Sequence, residues 1–141
     1  MPIEPSRAVL DASILIQTIV REKYTDVALK LVSMLEEIYA PSLILYEIGN
    51  ALVILKRRNF ITKEDAVRKF NYVKSIPTLN IKEIEFDRAI DMAIELDITL
   101  YDASYLNLAL EMEAQLITAD RKLYEKGRVM AEVIHASEVT L

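Results

Sequence analysis

A chain of 141 residues that is 52% hydrophobic has the size and apolar content of one domain with a proper core, which excludes a disordered chain. There is no cysteine and one histidine, His135, which excludes disulfides, thiolate zinc sites and cysteine nucleophiles; any metal must be held mainly by oxygen, as magnesium and manganese are. The net charge of -5 argues against a general basic surface that coats nucleic acid, but not against a nuclease whose gathered acids hold cations.

The opening Met1-Pro2-Ile3-Glu4-Pro5 is short, acidic and proline-broken, unlike a signal peptide, and no apolar run nears the roughly 18 residues of a membrane span. A soluble cytoplasmic protein without membrane contact is expected. Ala8 to Leu10 reads as a first strand ending in Asp11. In open parallel sheets ligands bind outside the carboxyl ends of the strands, so Asp11 points to a crevice; capping of the next helix explains it equally. Ile14, Leu15, Ile16, Ile19 and Val20 give that helix a wide apolar face, and Val27, Ala28, Leu31, Val32 and Leu35 write a second, with Thr25 as a start signal.

Ile38-Tyr39-Ala40 reads as a buried strand closed by Pro41, and Ser42 as the N-cap of a long helix to about Arg58. Within it, Glu47 and Asn50 are two polar groups in apolar company, three residues apart on one side. Thr62 to Asp65 starts a helix that Pro77 ends, Leu79 and Ile81 alternate as a strand, and Phe86, Ala89, Ile90, Ala93 and Ile94 restore helical spacing. A helix opens at Thr99 and runs to about Glu113; Gln115 to Thr118 is a strand delivering Asp120; Arg121 to Lys126 forms a helical turn stopped by Gly127; Val133-Ile134 is the last strand. Strands alternating with helices predict a three-layer α/β fold in residues 1–141, a small central, mainly parallel sheet flanked by helices.

Asp11, Glu47, Asp102 and Asp120 each sit at a strand end, at a helix start or in an apolar helix. Taken singly, each has a structural explanation: Thr99 and Asp102 have the spacing of a capping box, and Thr62 with Asp65 shows the same pattern where no chemistry is inferred. Four ionised carboxylates within about 5 Å would repel by roughly 3 kcal/mol per pair at an effective dielectric near 20, so a converging set binds cations or holds protons with raised pKa values.

The segments Val9 to Ser13, Tyr46 to Leu52, Leu100 to Ala109 and Leu116 to Arg121 resemble PIN domains in order and approximate spacing, and the whole chain resembles the VapC toxins of VapBC toxin-antitoxin pairs. The resemblance implies a single PIN-like domain and a Mg2+- or Mn2+-dependent ribonuclease whose metal-binding acids are Asp11, Glu47, Asp102 and Asp120. Ser13, Asn50 and Thr118 would hold those acids or the water from behind, and cleavage would leave a 3'-hydroxyl and a 5'-phosphate. It also implies a homodimer, a VapB-like antitoxin and an RNA substrate. Asp97 stands where such sequences often have glycine, and reads as a left-handed helix ending rather than a fifth ligand.

Lys56, Arg57, Arg58, Lys63, Arg68 and Lys69 form the densest basic stretch and are candidates for RNA phosphates; solvated helix ends explain them as well. Tyr46, Tyr101 and Tyr105 neighbour the acids, either to stack on unpaired bases or to pack the core. Two other readings stand beside the nuclease. One is a non-catalytic PIN-like module that holds RNA or protein. The other is an aspartyl-phosphate phosphotransferase or phosphatase with Asp11 as nucleophile, disfavoured because the position two residues on is Ser13 rather than Asp.

Overall fold

The computed structural model describes residues 6–140, so the opening five residues, with the reading made of them, lie outside it. Among these residues five parallel strands form one sheet: β1 (Arg7–Leu10), β2 (Glu37–Pro41), β3 (Leu79–Lys82), β4 (Gln115–Thr118) and β5 (Val133–His135), in the order β3-β2-β1-β4-β5. The sheet is thus wholly parallel rather than mainly so. Such strands are buried on both faces, and Ala8, Val9, Leu10, Ile38, Ala40, Leu116 and Ile117 are fully so.

Among the described residues seven helices flank it: α1 (Ala12–Leu15), α2 (Thr25–Met34), α3 (Leu43–Arg57), α4 (Lys63–Lys74), α5 (Phe86–Leu96), α6 (Leu100–Glu111) and α7 (Arg121–Gly127). From β1 the chain works outward through β2 to β3, then returns to lay β4 on the other side of β1. That reversal between β1 and β4 is the switch point at which an open α/β sheet leaves a crevice at its carboxyl edge. Leu10 pairs with Ile117, which sets the residues after the two strands side by side there.

Several local expectations shift. The helix after β1 is a single turn followed by a 3-10 turn over Ile16–Thr18. Two side chains compete for its carbonyls: Gln17 Nε2 donates to Ser13 O (3.0 Å) and Thr18 Oγ1 to Leu15 O (2.7 Å), in a run rich in β-branched residues. Ser42 occupies the N-cap of α3 with no capping bond from its side chain. Thr25 is the first residue of α2 rather than its cap, and its hydroxyl accepts the Glu22 N–H (2.9 Å). Asp97, as expected, ends α5 in the left-handed region (φ 54°, ψ 52°), held by Lys126 Nζ donating to its carbonyl at 2.9 Å.

Gly127 is the last residue of α7 rather than a residue beyond it. Its lack of a side chain serves packing: a Cβ there would stand 2.8 Å from a Leu106 methyl in the core.

Candidate functional site

Asp11 caps the helix that follows β1 and stands at the switch point between β1 and β4. It follows β1 and takes the Ile14 N–H at 3.3 Å, and its carboxylate is 4% exposed at the switch point. Ser13 Oγ donates to Oδ1 and Thr118 Oγ1 to Oδ2, each at 2.5 Å. Those two hydroxyls accept the backbone N–H groups of Ala119 (2.8 Å) and Asp120 (3.0 Å) in turn. A hydroxyl has one proton, so both protons are committed to Asp11; of about four lone-pair positions on its carboxylate three are taken, leaving one on Oδ2.

Burial pushes the Asp11 carboxyl up to about 7. The bonds from Ser13, Thr118 and Ile14 pull it back, and the charge of Asp120 adds a smaller push upward. Asp120 itself is exposed and caps α7, taking the N–H groups of Lys122 (2.9 Å) and Leu123 (3.2 Å) on Oδ1.

Asp102 lies in the first turn of α6, where its N–H donates to Thr99 Oγ1 at 3.0 Å. At α4 the box of Thr62 and Asp65 closes in both directions, so Asp65 spends its carboxylate on the helix start. The half-buried Asp102 carboxyl is instead lifted above its ordinary range by burial first, then by the charges of Asp120 and Glu47, with Lys122 and Thr99 drawing it down. The sequence spacing is the same at both helices, and only the structure separates them.

Glu47 projects from α3, half-buried, and receives the Tyr105 hydroxyl on Oε1 at 2.5 Å. Burial raises its carboxyl and that bond partly offsets the rise. Tyr105 is 2% exposed, so it does not stack on a base. Its hydroxyl is held far above the ordinary phenol range, by burial and then by Glu47. It stays protonated and serves as a fixed donor. Asn50, expected beside Glu47, is exposed at the rim of a groove between α3 and α4, with Gly49, Val53 and Phe70.

Sequence reasoning named Ser13 and Thr118, which bond Asp11, but gave Tyr105 and His135 no supporting role. Tyr105 sits three residues after Asp102 on α6, a spacing that signalled a shared face. His135 is buried at the end of β5, where Nε2 lies 3.2 Å from Ala119 O and Nδ1 2.8 Å from Ser137 Oγ, with Tyr24 and Tyr124 edge-on to its ring. It braces the turn that carries Asp120. The expected basic stretch is partly committed elsewhere: Arg68 pairs with Asp65 (2.7 Å) and Lys69 Nζ donates to Ile19 O (2.8 Å). Ten residues of helix separate Glu47 from Arg57, about 15 Å. Lys122 is the cation whose charge reaches Asp102.

Asp11, Glu47, Asp102 and Asp120 therefore meet at one edge, close enough for their charges to act on one another. The three ion pairs found among the described residues involve none of them. No three acidic or histidine side chains among the described residues are gathered closely enough to enclose a cation. The donor set nevertheless suits magnesium, which binds through one or two carboxylates, keeps several waters and takes substrate phosphates rather than needing a protein cage.

A wholly parallel α/β sheet with acids brought to the edge at its switch point defines the structural class, and comparison with known proteins narrows it. The PIN domain family matches residues 8–129, and the chain belongs to that family. Ribonuclease VapC3 of Pyrobaculum aerophilum is 30% identical over 124 residues, 85% of this chain and 94% of that protein. Among solved structures, PAE2754 from Pyrobaculum aerophilum superposes with a TM-score of 0.71 at 28% identity, covering 97% of this chain and 93% of the other. A toxin-antitoxin complex from Klebsiella pneumoniae (TM-score 0.67, 20% identity, 92% and 97% covered) and FitAcB from Neisseria gonorrhoeae (0.68, 13%, 93% and 99%) share the fold.

Proposed function

We propose that this chain, one PIN-like domain over residues 1–141, is a metal-dependent endoribonuclease and the toxin of a VapBC-type pair. The observation that carries the reading is the cluster of Asp11, Glu47, Asp102 and Asp120 at the switch point, buried or half-buried at three of its members, in no ion pair among the described residues and with only the charge of Lys122 reaching Asp102. The similarity to the VapC3 ribonuclease of Pyrobaculum and the fold shared with a toxin-antitoxin complex support it.

Asp11, Asp102 and Asp120 hold Mg2+ or Mn2+, with Glu47 as a further ligand or the group that orients the attacking water. When bound, the metal supplies Lewis acidity toward the phosphate and a lowered pKa for that water. Ser13 and Thr118 fix both Asp11 oxygens, and Tyr105 fixes one oxygen of Glu47. The other Glu47 oxygen is free to take a proton from water, and its raised pKa makes it a better base than an ordinary glutamate. Lys122 draws the phosphate toward Asp102. The products carry a 3'-hydroxyl and a 5'-phosphate. The working form is a cytoplasmic homodimer silenced by a VapB-like antitoxin.

The open spacing of the acids is also what a non-catalytic PIN-like module would show. An aspartyl-phosphate enzyme fits less well, because Asp11 is 4% exposed and three of its lone-pair positions are occupied. The test is expression in a bacterial host with and without the antitoxin, beside incubation of the purified protein with structured and unpaired RNAs. Growth arrest relieved by the antitoxin, with cleavage supported by magnesium or manganese and stopped by EDTA, is expected. RNA binding without cleavage in any metal, and normal growth, would assign the chain to the binding module.

A further inference from the structure

Resting on the ribonuclease reading, we infer that a cavity of about 230 Å3 beside the acids is a subsite for one unpaired nucleobase, clamped by Tyr46 and Tyr101. Tyr46 immediately precedes Glu47 on α3 and Tyr101 immediately precedes Asp102 on α6. One residue turns a helix by about 100°, so the rings stand on the flank next to the carboxylates rather than among them. Both are well exposed, 77% and 59%, and Phe86 at the start of α5 joins them in lining the cavity at 58%. Aromatic residues this exposed are not packing the core.

The remaining wall includes the ends of β2 and β3, at Pro41 and Lys82, with Glu83 after β3 and Ser104 on α6. The cavity thus lies on the same carboxyl edge as Asp11 and Asp120, displaced one or two strands, about 5 to 10 Å. A base seated there belongs to a nucleotide next to the one being cut. Lys82 lines the cavity beside Glu83, and its ammonium lies 5.8 Å from the Tyr39 ring. The volume falls below the roughly 300 Å3 at which pockets for drug-sized ligands begin, so it takes a flat ring and leaves sugar and phosphate outside. Stacking reads no base edge, so the subsite selects unpaired strands over duplex without choosing a sequence.

The test is binding of short unpaired oligoribonucleotides of mixed sequence, in EDTA to prevent cleavage, by fluorescence anisotropy. Wild type is compared with Tyr46→Leu and Tyr101→Leu, which remove a ring at an exposed site, and with Tyr46→Phe and Tyr101→Phe, which keep it. Each leucine variant should bind about 5- to 100-fold more weakly and each phenylalanine variant within about twofold of wild type. Abasic substitution at successive positions gives a second measurement on the unaltered protein. One position should weaken wild type and have little further effect on the leucine variants. Wild type that binds RNA while the leucine variants bind equally well, with no abasic position standing out, overturns the subsite alone and leaves the exposed rings to a protein partner. Wild type that binds no RNA and cleaves none overturns the ribonuclease reading and the subsite together.

Discussion

Asp11 is held at both oxygens by hydroxyls and lifted to about 7 by burial, against 3.8 in the unfolded chain. Without a bound cation the native state therefore carries a proton there that the unfolded state has lost, across the interval from about pH 4 to pH 7. Because the native state binds more protons, this contribution to stability is largest below pH 4 and falls as pH rises to 7. The raised carboxyls of Glu47 and Asp102 act in the same direction. In EDTA, the urea midpoint of wild type should drop between pH 5 and pH 7.5, and Asp11→Asn should flatten that drop. An equal slope in the variant would remove Asp11 as its cause. Thr118→Val takes away one of the two donated protons, and should weaken magnesium binding about 10- to 100-fold by calorimetric titration. Tyr105→Phe fills the same core volume but leaves Glu47 Oε1 without its donor. The Glu47 carboxyl then rises further, and the acidic limb of the pH-rate profile should move to higher pH with little change in melting temperature.

Secondary elements were legible wherever one period dominated. The long apolar helix read from Ser42 to about Arg58 announced α3, and the apolar run before Asp11 announced β1. The helix after β1 was not legible at its true length, because Gln17 and Thr18 take backbone carbonyls that helical continuation would use. Glu47 and Asn50 looked alike from spacing, yet one is half-buried against Tyr105 and the other lies at a groove rim. Their rotation about the helix depends on α4 and α6, which spacing within α3 does not encode. Gly127 looked like a stop signal, and what requires it is Leu106 on α6, distant in sequence. Gly127→Ala should therefore destabilise by about 1 to 3 kcal/mol through overpacking, read as a lower urea midpoint at unchanged slope. A midpoint unchanged from wild type would mean that Leu106 yields without cost.

At the scale of the molecule, strand order brings separate acids to one edge of the sheet. The alternation of strands and helices predicted a parallel sheet but could not order it; the resemblance to PIN domains implied the meeting of the four segments that the order β3-β2-β1-β4-β5 brings about. The crevice between β1 and β4 then concentrates negative charge in a chain already at -5. A cation that binds only the folded state should raise stability by about 2.7 kcal/mol at a hundred times its dissociation constant. The most direct test of the account is the single-turnover rate of RNA cleavage in manganese by wild type, Asp11→Asn and Asp102→Asn, each shown by circular dichroism to be folded. The account predicts cleavage by wild type that EDTA abolishes, and rates lower by at least about 100-fold in both variants. Cleavage at the wild-type rate by either folded variant would contradict it.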